Sequence, residues 1–190
     1  MIKIFLISMT LGFTVFTAEK VTSVSINTPE DWGKEIIQLP PGFAKDMKYK
    51  GSEDLRFSPG MFKPESKFFF TYVFTLSGTL EGGLNKENVT SEILKYYRGL
   101  GLAVGGKKFQ INPEDFKLEL TKTGRGFNGK LDWIEPFKTG KKQTLHIEII
   151  TWDSKEKQIL FAMVSPADKN SEVWKKLKEI EKGLTLSDKK

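Results

Sequence analysis

His146 is the only histidine in this chain of 190 residues, and the residues around it have the types and spacing best suited to chemistry. In the segment TLHIEIITW, alternation along a β-strand places His146, Glu148 and Trp152 on one face. A carboxylate beside an imidazole can tune that imidazole as a base, and the two groups together also suit a divalent metal ion.

The hairpin before this strand adds two residues to the same face. A two-residue turn at 139–140 or at 140–141 would fix the strand register, and either turn places Trp133 and Glu135 beside His146. The candidate ligand-binding set is therefore Trp133, Glu135, His146, Glu148 and Trp152. Structural pairing under a loop or helix, contact with a ligand, and catalysis by the histidine with a glutamate all stay open. We predict neither a catalytic residue nor a metal site.

The composition excludes several kinds of site. There is no cysteine, which rules out disulfides, zinc–thiolate centres and thiol nucleophiles. No G-x-S-x-G nucleophile elbow or phosphate-binding loop occurs. The formal net charge is +6, but the lysines are interleaved with acids, as in KKLKEIEKG, which is typical of a solvated surface. We expect no cofactor and no nucleic-acid partner.

A second candidate site is the turn-rich loop in the segment RFSPGMFKPES. Its PG dipeptide predicts a turn, and loops of this kind are normally exposed. Phe57, Met61 and Phe62 are nevertheless apolar, so they either fold back as a cap on the sheet or line the mouth of a pocket. We predict that any pocket has this loop at its edge, with Arg56, Phe57, Met61 and Phe62 as the candidate residues.

Strands and two helices must position these residues. In KFFFTYVFTL, alternation predicts a long strand over 68–76 with most of its aromatic residues on one face. A helix is predicted to begin at the N-cap Asn85, with Leu84 and Val89 as its hydrophobic staple. Glycines predict that this helix ends between Gly99 and Val104.

The second half of the chain predicts an antiparallel meander of four strands and a final amphipathic helix in SEVWKKLKEIEKGL. The order of elements predicts an α+β fold, with a single twisted antiparallel sheet of five to seven strands and two main helices packed mostly on one face. The apolar run ILFAMV indicates a strand buried on both faces. The second face then needs cover from the N-terminal segment, the loop at 56–65, a ligand or a partner chain.

The first 18 residues have the pattern of a secretory signal, with Lys3, an apolar run and a small residue, Ala18. The run is short for a transmembrane helix, which needs about 20 residues, and the alternative to a cleaved signal is an uncleaved N-terminal anchor. We predict a signal peptide at 1–18, or up to 23, a flexible leader at 19–31, one α+β domain at 32–186 and a tail at 187–190. The protein is then exported to the periplasm or secreted, without a stable membrane span after processing.

Four segments resemble a family of small exported bacterial proteins with no assigned function. They are LPPGFAKDMKYKGSEDLRFSPGMFKPES, LKYYRGL, LDWIEPFKTGKKQTLHIEIITW and FAMVSP. The sheet followed by a helix after FAMVSP is also loosely similar to the PsbP-like fold of the photosystem II extrinsic proteins. Neither resemblance implies a reaction.

The resulting interpretation is an exported soluble protein that binds a small molecule or an envelope protein without catalysis. One alternative is an envelope hydrolase that uses His146 with Glu148 or Glu135. The other is a structural scaffold that associates through an aromatic face of the sheet.

Overall fold

Nine strands and two helices account for most of residues 21–188, the part of the chain that the computed structural model describes. The predicted signal peptide at 1–18 and the end of the predicted tail lie outside these residues. The helices are α1 (Lys86–Phe109) and α2 (Glu172–Lys182). The strands are β1 (Val21–Ser25), β2 (Gly33–Leu39), β3 (Lys50–Phe57), β4 (Tyr72–Thr79), β5 (Lys117–Lys122), β6 (Gly126–Ile134), β7 (Lys142–Asp153), β8 (Gln158–Ser165) and β9 (Thr185–Asp188).

Seven of the strands form one antiparallel sheet in the order β2-β3-β4-β8-β7-β6-β5, and β1 pairs separately with β9. The predicted meander is confirmed, because β5, β6, β7 and β8 are joined in sequence by antiparallel pairing. The mixed α+β character is confirmed as well, although strands dominate over helices. β4 pairs with β8, so an early strand and a late strand meet at the centre of the sheet.

The phenylalanine-rich segment is only partly a strand. β4 begins at Tyr72, whereas the alternation predicted a start at Phe68. Residues 68–70 instead form a turn, in which the backbone N–H of Phe70 donates to the carbonyl of Met61 at 3.0 Å. Phe70 has a left-handed backbone with φ of 48°, and its buried ring lies 4.6 Å from that of Trp133. The Phe70 side chain thus reaches the core from a turn and not from a hydrogen-bonded position in a strand.

Helix α1 begins as predicted but continues beyond its predicted end. The Asn85 side chain accepts the backbone N–H of Asn88, which confirms the N-cap. Other parts of the chain approach the helix closely at three of its glycines, Gly99, Gly101 and Gly105. A Cβ at Gly99 would lie 2.2 Å from the carbonyl oxygen of Phe43, and the helix continues to a left-handed C-cap at Gln110.

The two helices cover opposite faces of the large sheet, so the expectation that they pack mostly on one face is wrong. Leu160 and Val164 of β8 pack in the core cluster that contains α1, whereas Phe161 and Met163 pack in the cluster that contains α2. A strand that is apolar on both faces must be covered on both. One helix on each face meets this requirement.

The described part of the predicted leader, residues 21–31, belongs to the fold. β1 pairs with β9, and Ile26 is buried against α2 together with Trp32. The N-terminal segment therefore helps α2 to cover the second face, as one of the open alternatives proposed. Within residues 21–188, no helix is both long and apolar enough to cross a membrane.

Candidate functional site

The sheet divides the predicted set around His146 between its two faces. His146, Glu148 and Trp152 share the face that α2 covers, as alternation predicted. Trp133 lies on the opposite face, directly across from Gln143, whose side-chain oxygen accepts the indole N–H at 3.0 Å. The predicted placement of Trp133 and Glu135 beside the histidine is therefore wrong.

The length of the β6–β7 connection explains this difference. Ile134 pairs with Lys142, so the connection comprises seven residues, 135–141, and not two. A change from an even to an odd number of connecting residues shifts the register by one. Each side chain of β6 then emerges on the face opposite to the predicted one.

Glu135 is fully buried and organises this connection. Its carboxylate accepts the backbone N–H groups of Phe137 and Thr139, each at 2.6 Å, and that of Lys138 at 3.1 Å. The hydroxyl of Thr139 also donates to it, at 2.9 Å. Both carboxylate oxygens are thus held by the loop's own donors, and Glu135 is a structural residue.

Glu148 joins the sheet to α2. One of its carboxylate oxygens accepts from the ammonium group of Lys169 at 2.6 Å, and the other accepts from that of Lys178. Partial burial alone would raise the pKa of Glu148, but the two lysines outweigh burial and lower it. The group is therefore an ionised partner in an ion-pair network and not an acid or base poised near neutral pH.

His146 is half-buried beside this network. Partial burial lowers the pKa of the imidazole, the positive charges of Lys169 and Lys130 lower it further, and Asp168 opposes them. Glu148, on the same face of β7, is bound to its two lysines and not to the ring. His146 and Glu148 therefore do not form the oriented imidazole–carboxylate pair that general-base catalysis uses.

The predicted pocket-edge loop contributes to a different site. Phe57, Met61 and Phe62 all line one cavity with a volume of about 320 Å³. Arg56 faces the other side of β3, where its guanidinium donates to Asp54 at 2.9 Å. Three of the four predicted loop residues are therefore brought together, and the arginine is not.

This cavity lies between α1, the α1-facing side of β2–β4 and the loops around Phe43, Phe62 and Phe137. Its lining is mostly aromatic and otherwise mostly aliphatic. The aromatic residues are Phe43, Phe57, Phe62, Phe70, Tyr72, Tyr96 and Phe137. The aliphatic residues are Ile37, Leu55, Met61 and Leu100, and Glu35 is the one charged member.

A buried carboxyl group lies behind this wall. Glu53 is fully buried, and neither of its carboxylate oxygens has a hydrogen-bond partner among the described residues. The pKa of Glu53 is raised to about 8, mainly by burial and further by the charge of Glu35. The nearby Tyr96 hydroxyl lowers the pKa in part, although it does not reach hydrogen-bond geometry with the carboxylate. Glu53 is therefore mostly protonated at neutral pH.

Three tyrosines surround the carboxyl group. The hydroxyl groups of Tyr72 and Tyr97 hydrogen-bond to each other. Burial raises the pKa of Tyr72, Tyr96 and Tyr97, and the nearby Glu53 adds to each increase. All three hydroxyl groups stay protonated near neutral pH, so the inner end of the cavity has polar groups but no fixed positive charge.

No family model and no curated protein matches this chain. The resemblances drawn from the sequence segments stay predictions, and the site must be judged on its own geometry.

Sequence reasoning missed the inner part of this site, Glu53 and the tyrosines of α1. The signal was present in β3, because Glu53, Leu55 and Phe57 alternate and must share a face. A charged residue in line with two apolar ones predicts either an exposed face or a buried acid. The position of α1, which the sequence does not specify, decides between them.

The other cavities are more polar or more open. A larger groove of about 860 Å³ is lined by charged and polar residues that include Lys48, Glu81 and Asp153. Another, of about 740 Å³, lies between α2 and the loop at Pro59 and has several charged residues in its lining. Residues 21–188 contain no cluster of three or more groups suited to hold a metal ion. The aromatic cavity is the most enclosed of these and the best candidate for ligand binding.

Proposed function

We propose that this protein is an exported, non-catalytic binding protein whose ligand is a small molecule with a mostly apolar surface, held in the aromatic cavity. The observation that carries the proposal is the cavity itself, about 320 Å³ with eleven apolar or aromatic residues among its twelve lining residues. Small-molecule sites in proteins typically have about 300–1,000 Å³ and a mostly apolar lining with a few polar groups. Export rests on the signal-like N-terminal segment.

The position of Phe62 supports entry from the loop side. This side chain is 40% exposed although its ring packs against Phe137, with 5.3 Å between the ring centroids. Its neighbour Met61 is only 6% exposed. An exposed aromatic residue at the edge of an apolar cavity is suited to contact a ligand that enters there.

The two alternatives have less support. The hydrolase hypothesis needs His146 oriented by Glu148 or Glu135, and both carboxylates are bound to other partners. The scaffold hypothesis needs an uncovered aromatic face, whereas α1 and α2 cover the two faces of the described sheet. Binding in the cavity needs neither condition.

A titration with tert-butylbenzene, a neutral compact aromatic probe, tests the proposal by NMR. We expect saturable chemical-shift changes, since the probe matches the apolar lining. Leu100 lines the cavity, so Leu100→Trp fills it and should abolish binding. Leu102 is 44% exposed on the same helix and does not line the cavity, so Leu102→Trp is the matched control and should bind normally. Absence of saturable binding, or equal binding by the two variants, would overturn the proposal.

A further inference from the structure

We propose that the ligand of the aromatic cavity is a small organic cation, such as an alkylated amine, whose positive charge Glu53 and Glu35 balance. This inference rests on the proposed function, since it names the chemical class of a ligand for the same cavity. Three features of the site, its charge, its buried acid and its aromatic walls, support the same class.

The charge of the lining is opposite to that of the whole chain. The protein contains 30 lysine and arginine residues against 24 acidic ones, but none of the twelve lining residues is lysine or arginine. The single charged lining residue, Glu35, is an acid. An anionic ligand would find no charge partner in this wall, whereas a cation would.

Glu53 is a second acid, which lies behind the wall of the cavity and does not itself line it. It lies directly opposite Ile37 of β2 and two residues from Leu55, and both of these line the cavity. Its side chain therefore projects from the same sheet face, behind Tyr96. Because both carboxylate oxygens are buried without a hydrogen-bond partner, the protein offsets only part of the cost of burying the charged form of this group, through the nearby Tyr96 hydroxyl. A bound cation would offset that cost, since charges interact strongly in a poorly solvated interior.

The walls suit a cation as well as an apolar group. Aromatic rings attract ammonium groups over their faces, most strongly when the site is desolvated. Phe43 and Phe74 pack their rings against Tyr96, and Phe70 packs against Tyr72. This framework fixes the two tyrosine rings near the acid. A ligand with a methylated ammonium group uses both the rings and the carboxyl group.

The charged and titratable groups that face Glu53 come from three elements. They are Glu35 on β2, Tyr72 on β4, and Tyr96 and Tyr97 on α1. None of them is cationic, and the tyrosines are neutral below their raised pKa values. Deprotonation of Glu53 is therefore the step that titrates near neutral pH, and a bound cation favours it.

The test uses two probes of nearly the same shape that differ by one charge. Phenyltrimethylammonium is the cation, and tert-butylbenzene replaces its nitrogen by carbon. In the wild-type protein we expect the cation to bind at least about tenfold more tightly than the neutral probe. We also expect its affinity to rise with pH between about pH 6 and pH 9, as Glu53 ionises, while the neutral probe shows no such dependence.

Two variants assign the effect to Glu53. Glu53→Gln removes the carboxylate with little change in shape and should abolish both the preference for the cation and its pH dependence. Asp54→Asn is the matched control, since Asp54 is the next residue, projects from the other face of β3 and also has a carboxyl side chain. It should retain both properties.

The outcomes separate this inference from the proposed function. Equal binding of the two probes, or an unchanged preference in Glu53→Gln, overturns the proposal of a cationic ligand but leaves the apolar cavity as a binding site. Binding of neither probe overturns the proposed function as well. Should Glu53→Gln fail to fold, the pH dependence of the two wild-type affinities decides alone, and a flat profile for the cation contradicts the inference.

Discussion

Glu53 of β3 lies directly opposite Ile37 of β2, so a fully buried carboxyl group stands next to one wall of an apolar cavity. The pairing places the acid on the α1-facing side of the sheet, where the tyrosines of α1 and β4 enclose it. Few buried acids lack a hydrogen-bond partner, because an unpaired polar group destabilises the folded state. The relationship between these two residues therefore has consequences for both stability and binding.

The first consequence is a pH dependence of stability. The pKa of Glu53 is raised from 4.5 to about 8, so the folded protein holds this proton more tightly than the unfolded chain does. The contribution of protonated Glu53 to the free energy of unfolding is fully present below pH 4.5 and is lost as pH rises to about 8. A pKa shift of this size corresponds to a change of up to about 5 kcal/mol in the free energy of unfolding.

The difference in unfolding free energy between Glu53→Gln and the wild type isolates this effect from other titrating groups. Measured by urea unfolding across this pH range, the variant should become progressively more stable than the wild type as pH rises. A constant difference would mean that Glu53 is ionised in the folded protein throughout, which contradicts a raised pKa for this group.

The glycines of α1 provide a second test. Gly99→Ala should destabilise the fold by about 2 kcal/mol or more, because its Cβ would lie 2.2 Å from the Phe43 carbonyl oxygen. Gly106→Ala is the matched control, since its Cβ would meet nothing closer than a Leu102 carbon at 3.7 Å. Alanine there should stabilise the helix by about 0.5–1 kcal/mol. Thermal unfolding of the two variants compares them, and equal effects would contradict the close approach at Gly99.

Glu135 provides a test of the β6–β7 connection. Glu135→Ala leaves several backbone N–H groups of the loop without their acceptor and should destabilise the protein by about 3 kcal/mol. Glu119 is exposed on β5, so Glu119→Ala should change stability by no more than about 0.5 kcal/mol. Chemical denaturation measures both variants. Similar small effects would show that Glu135 does not organise the loop.

The two buried hydroxyl groups of Tyr72 and Tyr97 should be energetically coupled. Replacing either tyrosine by phenylalanine leaves the other hydroxyl buried without its partner and should cost about 1–2 kcal/mol. The double variant removes both polar groups, so it should lose less stability than the two single changes added together. A double-mutant cycle of unfolding free energies measures the coupling, and strict additivity would contradict it.

The sequence predicted those parts of the fold that depend on local patterns. Alternation and apolar runs located β5 to β8, and the side chain of Asn85 marked the start of α1. Prediction from the sequence failed where the contact that decides the structure lies between residues distant in sequence. The glycines of α1 suggested a helix end, because the approach of Phe43 to Gly99 is not visible locally.

The same limit applies to the candidate sites. Phe57, Met61 and Phe62 are apolar in a segment that the sequence predicts to be an exposed loop, and they line a cavity. Trp133 was placed on the wrong face because the register depends on the length of the connection after β6, which Glu135 stabilises through backbone hydrogen bonds. A one-residue difference in that length exchanges the two faces.

Ligand binding in the aromatic cavity is tested most directly by locating a bound probe through NMR of methionine methyl groups. Three methionines lie among the described residues: Met61 lines the aromatic cavity, Met47 lines the groove of about 860 Å³, and Met163 is buried on the face that α2 covers. With bound tert-butylbenzene, we predict intermolecular nuclear Overhauser effects from the tert-butyl protons to the Met61 methyl group and none to the other two. Effects to Met47 or Met163 without any to Met61 would contradict binding in this cavity.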